Sequence, residues 1–454
     1  MLENFDFRAF SIKDIHRAVL SGEMCFRELA EYTVNATKRH QERWFPWVCF
    51  SESLLKDGSG VADAVVANGG SLRSLEGIPF GIKDIYNTID FPTQMGSDLW
   101  KGFEPGNDAR VVHRARESGG IPCGKTVTAE FAVHALNETL NPHDCLRTPG
   151  TSSSGSAVAV SLGIVPMTLG SQTAGSIIRP ASFCGVYGFK PTFGTLPRTG
   201  TLKTTDSLDS LGVFTGVLED MRRVFDAIRV RGRNYPYVNR LLEDPTLQKV
   251  SGRPRIGLFR TYTWDNAEQY AKHKLMQWLE EIGKDGFDVV EVSLPPEFSE
   301  IHEIHEKIYS FSLAYYFKSE FGRRDGLSDS MQNLILYGEK VSVSEYHDAL
   351  MQQEVLVEEF DRCLRDVDCG VSLSTAGSAP LRGVVEKRDP SLIWTFLHLP
   401  SMNVPLFVDD CGLPFGCQMF GARYRDYRLL SVLEALKSRG LIPVGAFPLP
   451  SCSV

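Results

Sequence analysis

No apolar run in this chain approaches the eighteen or more residues of a membrane helix; stretches such as VPMTLG and GVYGFKP are short and broken by glycine and proline. A basic leader followed by an apolar segment is also missing, since MLENFDFRAFSIKDIHRAV mixes acids, bases and apolar residues from the outset. Together these absences predict a cytoplasmic protein with no membrane partner. The ten cysteines (Cys25, Cys49, Cys123, Cys145, Cys184, Cys363, Cys369, Cys411, Cys417 and Cys452) include no C-x-x-C pair, so neither a disulfide framework nor a zinc ribbon is indicated. Cys363 and Cys369 have no histidine set beside them to complete a metal site. Charge of one sign is scarce too: 56 acidic against 48 basic side chains leave a net charge of −8 and no long basic run, which argues against nucleic acid as a partner. The chain also lacks internal repeats, low-complexity linkers and a G-x-S-x-G nucleophile elbow.

What is present reads as one large globular domain over 1–454, with 43% hydrophobic and 23% charged residues. Residues 1–70 read as helical. One helix opens with Ser11 and Asp14 in capping-box spacing, a second runs to about Arg43, and WFPWVCF follows as core. From Leu75 the texture changes to short apolar runs separated by Gly, Pro and Ser. GIPFGIKD and IPCGKT read as strands, and Asp108–Ser118 and Ser156–Leu162 as helices, which predicts an α/β fold with a mixed or mostly parallel sheet covered by helices. Residues 262–360 are more charged and read as a helical cap or insertion, with Ser344 capping a long helix. Strand texture returns at VSLSTAG and VPLFVDDCGLPFGCQMFG before a closing helix.

Three segments carry chemistry. Lys83 follows the apolar run IPFGI; it either snorkels to water or is desolvated, and a desolvated amine loses its proton readily enough to act as a base. The serine-rich loop PGTSSSGS (Pro149–Ser156) precedes an apolar helix, and GSQTAGSIIRP (Gly170–Pro180) places Ser176 behind small residues. Small side chains permit a tight backbone path that turns several N–H groups toward one oxygen. A Ser-Lys pair of this kind does without histidine.

The segments GIPFGIKDIYNT, GKTVTAEFA, RTPGTSSSGSAVAVSLGIVP, GSQTAGSIIRPASFCGVYGFKPT and SLDSLG together resemble the amidase signature family, serine hydrolases that include the glutaminase subunit of aminoacyl-tRNA amidotransferases. The resemblance covers about Leu75 to Gly212 strongly, within a signature core of 75–220, and extends more weakly to both ends. It implies a central mixed β-sheet covered by helices on both faces. It also implies Lys83 as the catalytic lysine, Ser152 after a cis peptide bond as the bridging serine, and Ser176 as the nucleophile. The N–H groups of Thr173, Ala174, Gly175 and Ser176 would form the oxyanion hole, with Ser153, Gln172 and Arg179 in support. Trp394, Thr395 and His398 are expected to line the substrate pocket. No cofactor or metal is implied, and the resemblance is compatible with a homodimer.

The chain departs from the family pattern in four places. Gln172 stands for an aspartate, Ala174 for a glycine, Val127 for an asparagine, and Arg179 is displaced one place toward Pro180, which puts a familiar ion pair beneath the site in question. IHEIHEK, with His302, Glu303 and His305, is not H-E-x-x-H and reads as a solvated helix face. His134 and His143 lie near the serine loop. Three readings follow: an amidohydrolase acting on a small carboxamide or related compound, with ester hydrolysis alongside; the glutaminase subunit of a tRNA-dependent amidotransferase; or a catalytically silent amide-binding protein.

Overall fold

The computed structural model describes residues 5–232, 239–248, 250 and 252–450; Cys452 and the first four residues of the N-terminal region lie outside them. The short apolar runs become the strands β1 (Trp47–Phe50), β2 (Pro79–Lys83), β3 (Ile121–Thr126), β4 (Met167–Gln172), β5 (Tyr187–Lys190), β6 (Ser210–Thr215), β7 (Arg255–Phe259), β8 (Asp288–Val292), β9 (Cys369–Leu373), β10 (Ser401–Val408) and β11 (Pro414–Phe420). They form one sheet in the order β1-β3-β2-β4-β6-β5-β10-β11-β9-β7-β8. β2 is parallel to β3 and β4, and β7 is parallel to β8 and β9. Antiparallel pairs from β4 through β6, β5, β10 and β11 to β9 join these two blocks.

β2, β3, β4 and β6 are buried from end to end, as apolar runs covered on both faces should be. Strand alternation sorts the side chains between two cores. Leu211 and Val213 of β6 join Phe80 and Ile82 of β2 against the helix Leu218–Ile228, whereas Phe214 joins the opposite core with the helix Ser154–Ser161. The mixed sheet with helices on both faces is therefore as expected.

Ser11 and Asp14 make the reciprocal capping box of the first helix, Ile12–Leu20. The second helix is Phe26–Trp44, and a third, Glu52–Ala67, which the sequence pattern did not separate, starts at Ser51. Trp44 and Trp47 are core, but 47–50 is also an edge strand paired with β3.

Two expectations for 262–360 change. The segment supplies β8, paired with β7, in addition to helices; its sequence DVVEV, half exposed, suits the outer strand of the sheet. The helix Val343–Cys363 is capped by Ser342 rather than Ser344, because only Ser342 has an acid three residues on, and Glu345 closes the box with bonds of 3.2 and 2.8 Å. No helix among the described residues is long and apolar enough to cross a membrane.

Phe360 ties this helix to the sheet. It is fully buried, and its ring lies 5.6 Å from Phe259, 5.7 Å from Phe298 and 5.5 Å from Trp394. Phe360→Ala should cost about 3–5 kcal/mol of unfolding free energy, read from the shift of a urea transition.

Candidate active site

Lys83 ends β2 with no exposed surface. Its Nζ lies 2.7 Å from Ser152 Oγ, 2.9 Å from Ser153 Oγ and 2.8 Å from Ser171 Oγ. Burial pushes its pKa well below the ordinary lysine value, and the charge of Asp209 opposes that only in part. Asp209 has its own donors: Thr173 Oγ1, the hydroxyls of Thr204 and Thr205, and both of their N–H groups, at 2.6–3.0 Å.

A neutral amine has two N–H donors and one lone pair, so one of its three hydroxyl neighbours must donate to it. Ser153 gives its proton to the carbonyl of Ser171, at 3.1 Å, and so accepts from Lys83. The donor to Lys83 is thus Ser152 or Ser171. Sequence reasoning did not single out Ser171 or Asp209, although SLDSLG belongs to the segments that carry the family resemblance.

Ser152 follows a cis peptide at Thr151–Ser152, and its carbonyl accepts from Ala129 N–H at 3.1 Å. Ser176 lies on the turn between β4 and the helix Ile178–Phe183, 8% exposed, on the wall of a cavity of about 720 Å³. Ser152 and Ser176 share no hydrogen bond among the described residues. Such links commonly tighten only when substrate is bound.

The turn around Ser176 is held from behind. A trans peptide points its C=O and its N–H in opposite directions. The carbonyl of Thr173 accepts from His305 Nε2 at 2.9 Å, that of Ala174 from Thr395 Oγ1 at 2.6 Å, and that of Gly175 from Arg179 N at 2.9 Å. The N–H groups of Ala174, Gly175 and Ser176 therefore face away from these anchors. Together with Thr173 N–H, they have no hydrogen-bond partner among the described residues and are left free to meet an acceptor. A Cβ at 175 would stand 1.8 Å from Asp389 Oδ2, so any larger residue would displace the Asp389 side chain.

Gln172 takes over what an aspartate would do for the backbone. Its Oε1 accepts from Ile177 N at 2.7 Å and Ile178 N at 2.9 Å, while its Nε2 donates to Thr395 Oγ1 at 2.8 Å. The flipped amide would set an NH2 against two donors, so the network fixes the orientation. The displaced Arg179 remains ion-paired: Nη1 reaches Glu386 Oε2 at 2.9 Å and Nη2 reaches Asp389 Oδ2 at 3.5 Å. Burial works against its charge, but the two carboxylates outweigh that and raise its pKa.

Three residues expected at the pocket lie elsewhere. Trp394 is fully buried core, stacked on Phe420 at 3.7 Å and donating to Ser372 Oγ at 3.1 Å. Thr395 is buried behind the turn, as an anchor of the Ala174 carbonyl. His398 stacks on Phe193 at 4.4 Å and donates to the carbonyl of Ser207 at 2.6 Å. Trp394 and Thr395 lie on the helix Ser391–Phe396, whose packing turns one toward the sheet and the other behind the Ser176 turn, while His398 follows the helix in a left-handed conformation that turns its ring onto Phe193.

The histidines also depart from expectation. Glu303 is exposed, but His305 is buried and holds the turn, with burial lowering its pKa to about 4, so that it donates as a neutral ring. His302 lines the cavity and bonds Tyr262. A buried donor on the cap was invisible in sequence because its acceptor lies 132 residues away. His134 lines the cavity between Thr151 and Arg179, at 3.1 and 3.0 Å, while His143 donates to the Cys184 carbonyl at 3.1 Å and is structural. No group of three His, Cys, Asp or Glu among the described residues could hold a metal ion.

Comparison with known proteins matches residues 28–430 to the family model for amidases. The A subunit of glutamyl-tRNA(Gln) amidotransferase from Halothermothrix orenii is 34% identical over 406 residues, covering 80% of this chain and 84% of its own. A crystal structure of an amidase, 26% identical, superposes with a TM-score of 0.85 over 95% of this chain and 100% of its own. A protein from a vestigial complex linked to the origins of an s-triazine catabolic enzyme, 24% identical, shares the fold with a TM-score of 0.87, covering 96% of this chain and 100% of its own.

Thr395→Val preserves shape but frees the Ala174 carbonyl and the Gln172 amide. We expect kcat to fall between about ten- and a hundredfold with KM nearly unchanged, less than the roughly 10²–10³ lost with an oxyanion donor itself. Steady-state kinetics on a variant with wild-type circular dichroism checks this.

Proposed function

Because the chain belongs to the amidase family, and so is a hydrolase acting on carbon–nitrogen bonds, we propose that it cleaves a small carboxamide through an acyl-enzyme on Ser176. The observation that carries this reading is the desolvated amine of Lys83, bonded to Ser152, whose neighbour Thr151 lines the same cavity as Ser176. Neutral Lys83 accepts the proton of Ser152 as Ser152 takes that of Ser176, and Ser176 Oγ attacks the amide carbon. The carbonyl electron pair moves onto oxygen, where the N–H groups of residues 173–176 receive it. Collapse breaks the C–N bond while the relay returns its proton to the departing nitrogen. Water then enters along the same relay, and the acyl group leaves as a carboxylic acid. The hydroxyl of Ser153 keeps the amine oriented.

A second reading draws on the relative's name: the chain would supply ammonia from glutamine within a tRNA-dependent amidotransferase. Glutamine-dependent ammonia release that greatly exceeds release from simple amides, with a co-purifying second subunit, would favour it.

A screen of amides, ureas, carbamates and esters for ammonia or acid release tests the main reading. Wild type should turn over at least one amide, and Lys83→Ala and Ser176→Ala should each lose nearly all of that activity; turnover surviving either change would contradict the assignment. Since Lys83 must be neutral and its pKa is depressed, kcat/KM should be retained above that pKa and fall as the pH drops through it. A pH–rate profile with no acid limb would contradict the role of Lys83.

A further inference from the structure

The space in front of Ser176 is divided. One cavity, of about 720 Å³, contains Ser176; a neighbouring one, of about 470 Å³, is lined by Phe183, Tyr270, Thr375 and Ser378. Both are bounded by Arg179 and by a strap of irregular backbone, residues 381–389, so the strap and the guanidinium are the wall between them.

The strap is fastened at three points. Arg382 donates to the carbonyls of Asn137 and Thr139 at 2.6 and 2.7 Å. Lys387 pairs with Glu268 at 2.5 Å. Arg179 binds Glu386 and Asp389, and His134 Nε2 lies 3.6 Å from the other Glu386 oxygen. Arg179 stands three residues after Ser176, so the fastening is built on the same turn as the nucleophile.

Charge and polarity at this wall select a ligand. Arg179 is the buried cation of the cleft, and two carboxylates already occupy it. An incoming carboxylate would meet Glu386 and Asp389 at Arg179, and the other cations lining the second cavity are also paired, Arg147 with Asp144 and Lys387 with Glu268. Aliphatic surface, by contrast, is uncovered on the strap: Val385 is 91%, Val384 55% and Leu381 48% exposed, and all three border both cavities.

We propose that the strap 381–389, latched by Arg179 to Glu386, is the specificity element of this enzyme, and that it selects carboxamides with an uncharged aliphatic body lying along Leu381, Val384 and Val385. This rests on Ser176 being the nucleophile. The substrate's amide sits at Ser176, and its chain extends along the strap toward the second cavity. Arg179 and Glu386 are positioning residues: they set how long a chain is accepted and why a charged one is refused.

The test uses the full-length protein and linear amides from acetamide to octanamide, together with dicarboxylic acid monoamides of matching length. Wild type should gain about fourfold in kcat/KM per added methylene up to a limit, following the transfer value for a buried methylene. The monoamides should be at least about a hundredfold poorer than the uncharged amides of equal length. Glu386→Gln should move the limit to longer chains and improve the monoamides at least about tenfold, while Val385→Asp should suppress the long amides more than acetamide. A flat chain-length profile, a preference for the monoamides, or unchanged selectivity in both variants would overturn the proposal. Rates of covalent labelling by alkyl fluorophosphonates of increasing length give the same readout without turnover. They also separate the two claims, since absent labelling of Ser176 refutes the nucleophile, whereas labelling indifferent to chain length refutes only the strap.

Discussion

Removal of one lysine amine from water is the constraint on which the rest of the site depends. β2 carries Lys83 into the covered sheet, where an ammonium would lose its hydration and the carboxylate whose charge acts on it, Asp209, is shared among five donors. Buried lysines shift by up to about 3–5 pKa units, each worth about 1.4 kcal/mol between the two protonation states, so an ion pair at this point would restore the ammonium and remove the lone pair that the proposed base needs. Hydroxyls are the partners that leave the nitrogen neutral and still orient it. Ser153, whose proton is committed to the Ser171 carbonyl, can only accept from Lys83, and this leaves the lone pair to Ser152 or Ser171.

The second layer works on direction rather than charge. Peptide planarity converts the hydrogen bonds of His305, Thr395 and the Arg179 N–H behind the turn into three N–H groups facing the opposite way. Two of these anchors are distant in sequence: His305 comes from the helical segment over the sheet and Thr395 from the helix Ser391–Phe396. The Ser176 turn is thus a junction at which distant segments meet, and the strap that closes on it through Arg179 comes from the C-terminal third of the chain.

The meeting of Lys83 with Ser152 and Ser153 was legible because its signals are local in sequence: a lysine at the end of an apolar run and serines opening an apolar helix. The mixed sheet was legible from the same short apolar runs. What escaped notice was long-range. Trp394, Thr395 and His398 were placed at the pocket because their segment lies near the cleft, but local spacing cannot say which helical face meets the sheet. His305 looked like one of two solvated histidines on a charged helix, and only tertiary packing reveals its acceptor. β8 was hidden in a charged segment because an outer strand buries too little to stand out as an apolar run. Gln172 illustrates the reverse: a departure from the family pattern that looked like a loss keeps the turn's two backbone bonds through the amide oxygen.

The protonation state of Lys83 in the resting protein decides the account most directly. An NMR titration of lysine side-chain Cε and Nζ resonances in isotopically labelled protein, with the Lys83 signal assigned by its absence from Lys83→Met, would read it. A Lys83 amine that is uncharged at neutral pH and gains its proton only on acidification agrees with the site described. A Lys83 ammonium persisting to the ordinary lysine range near pH 10.4 would contradict it.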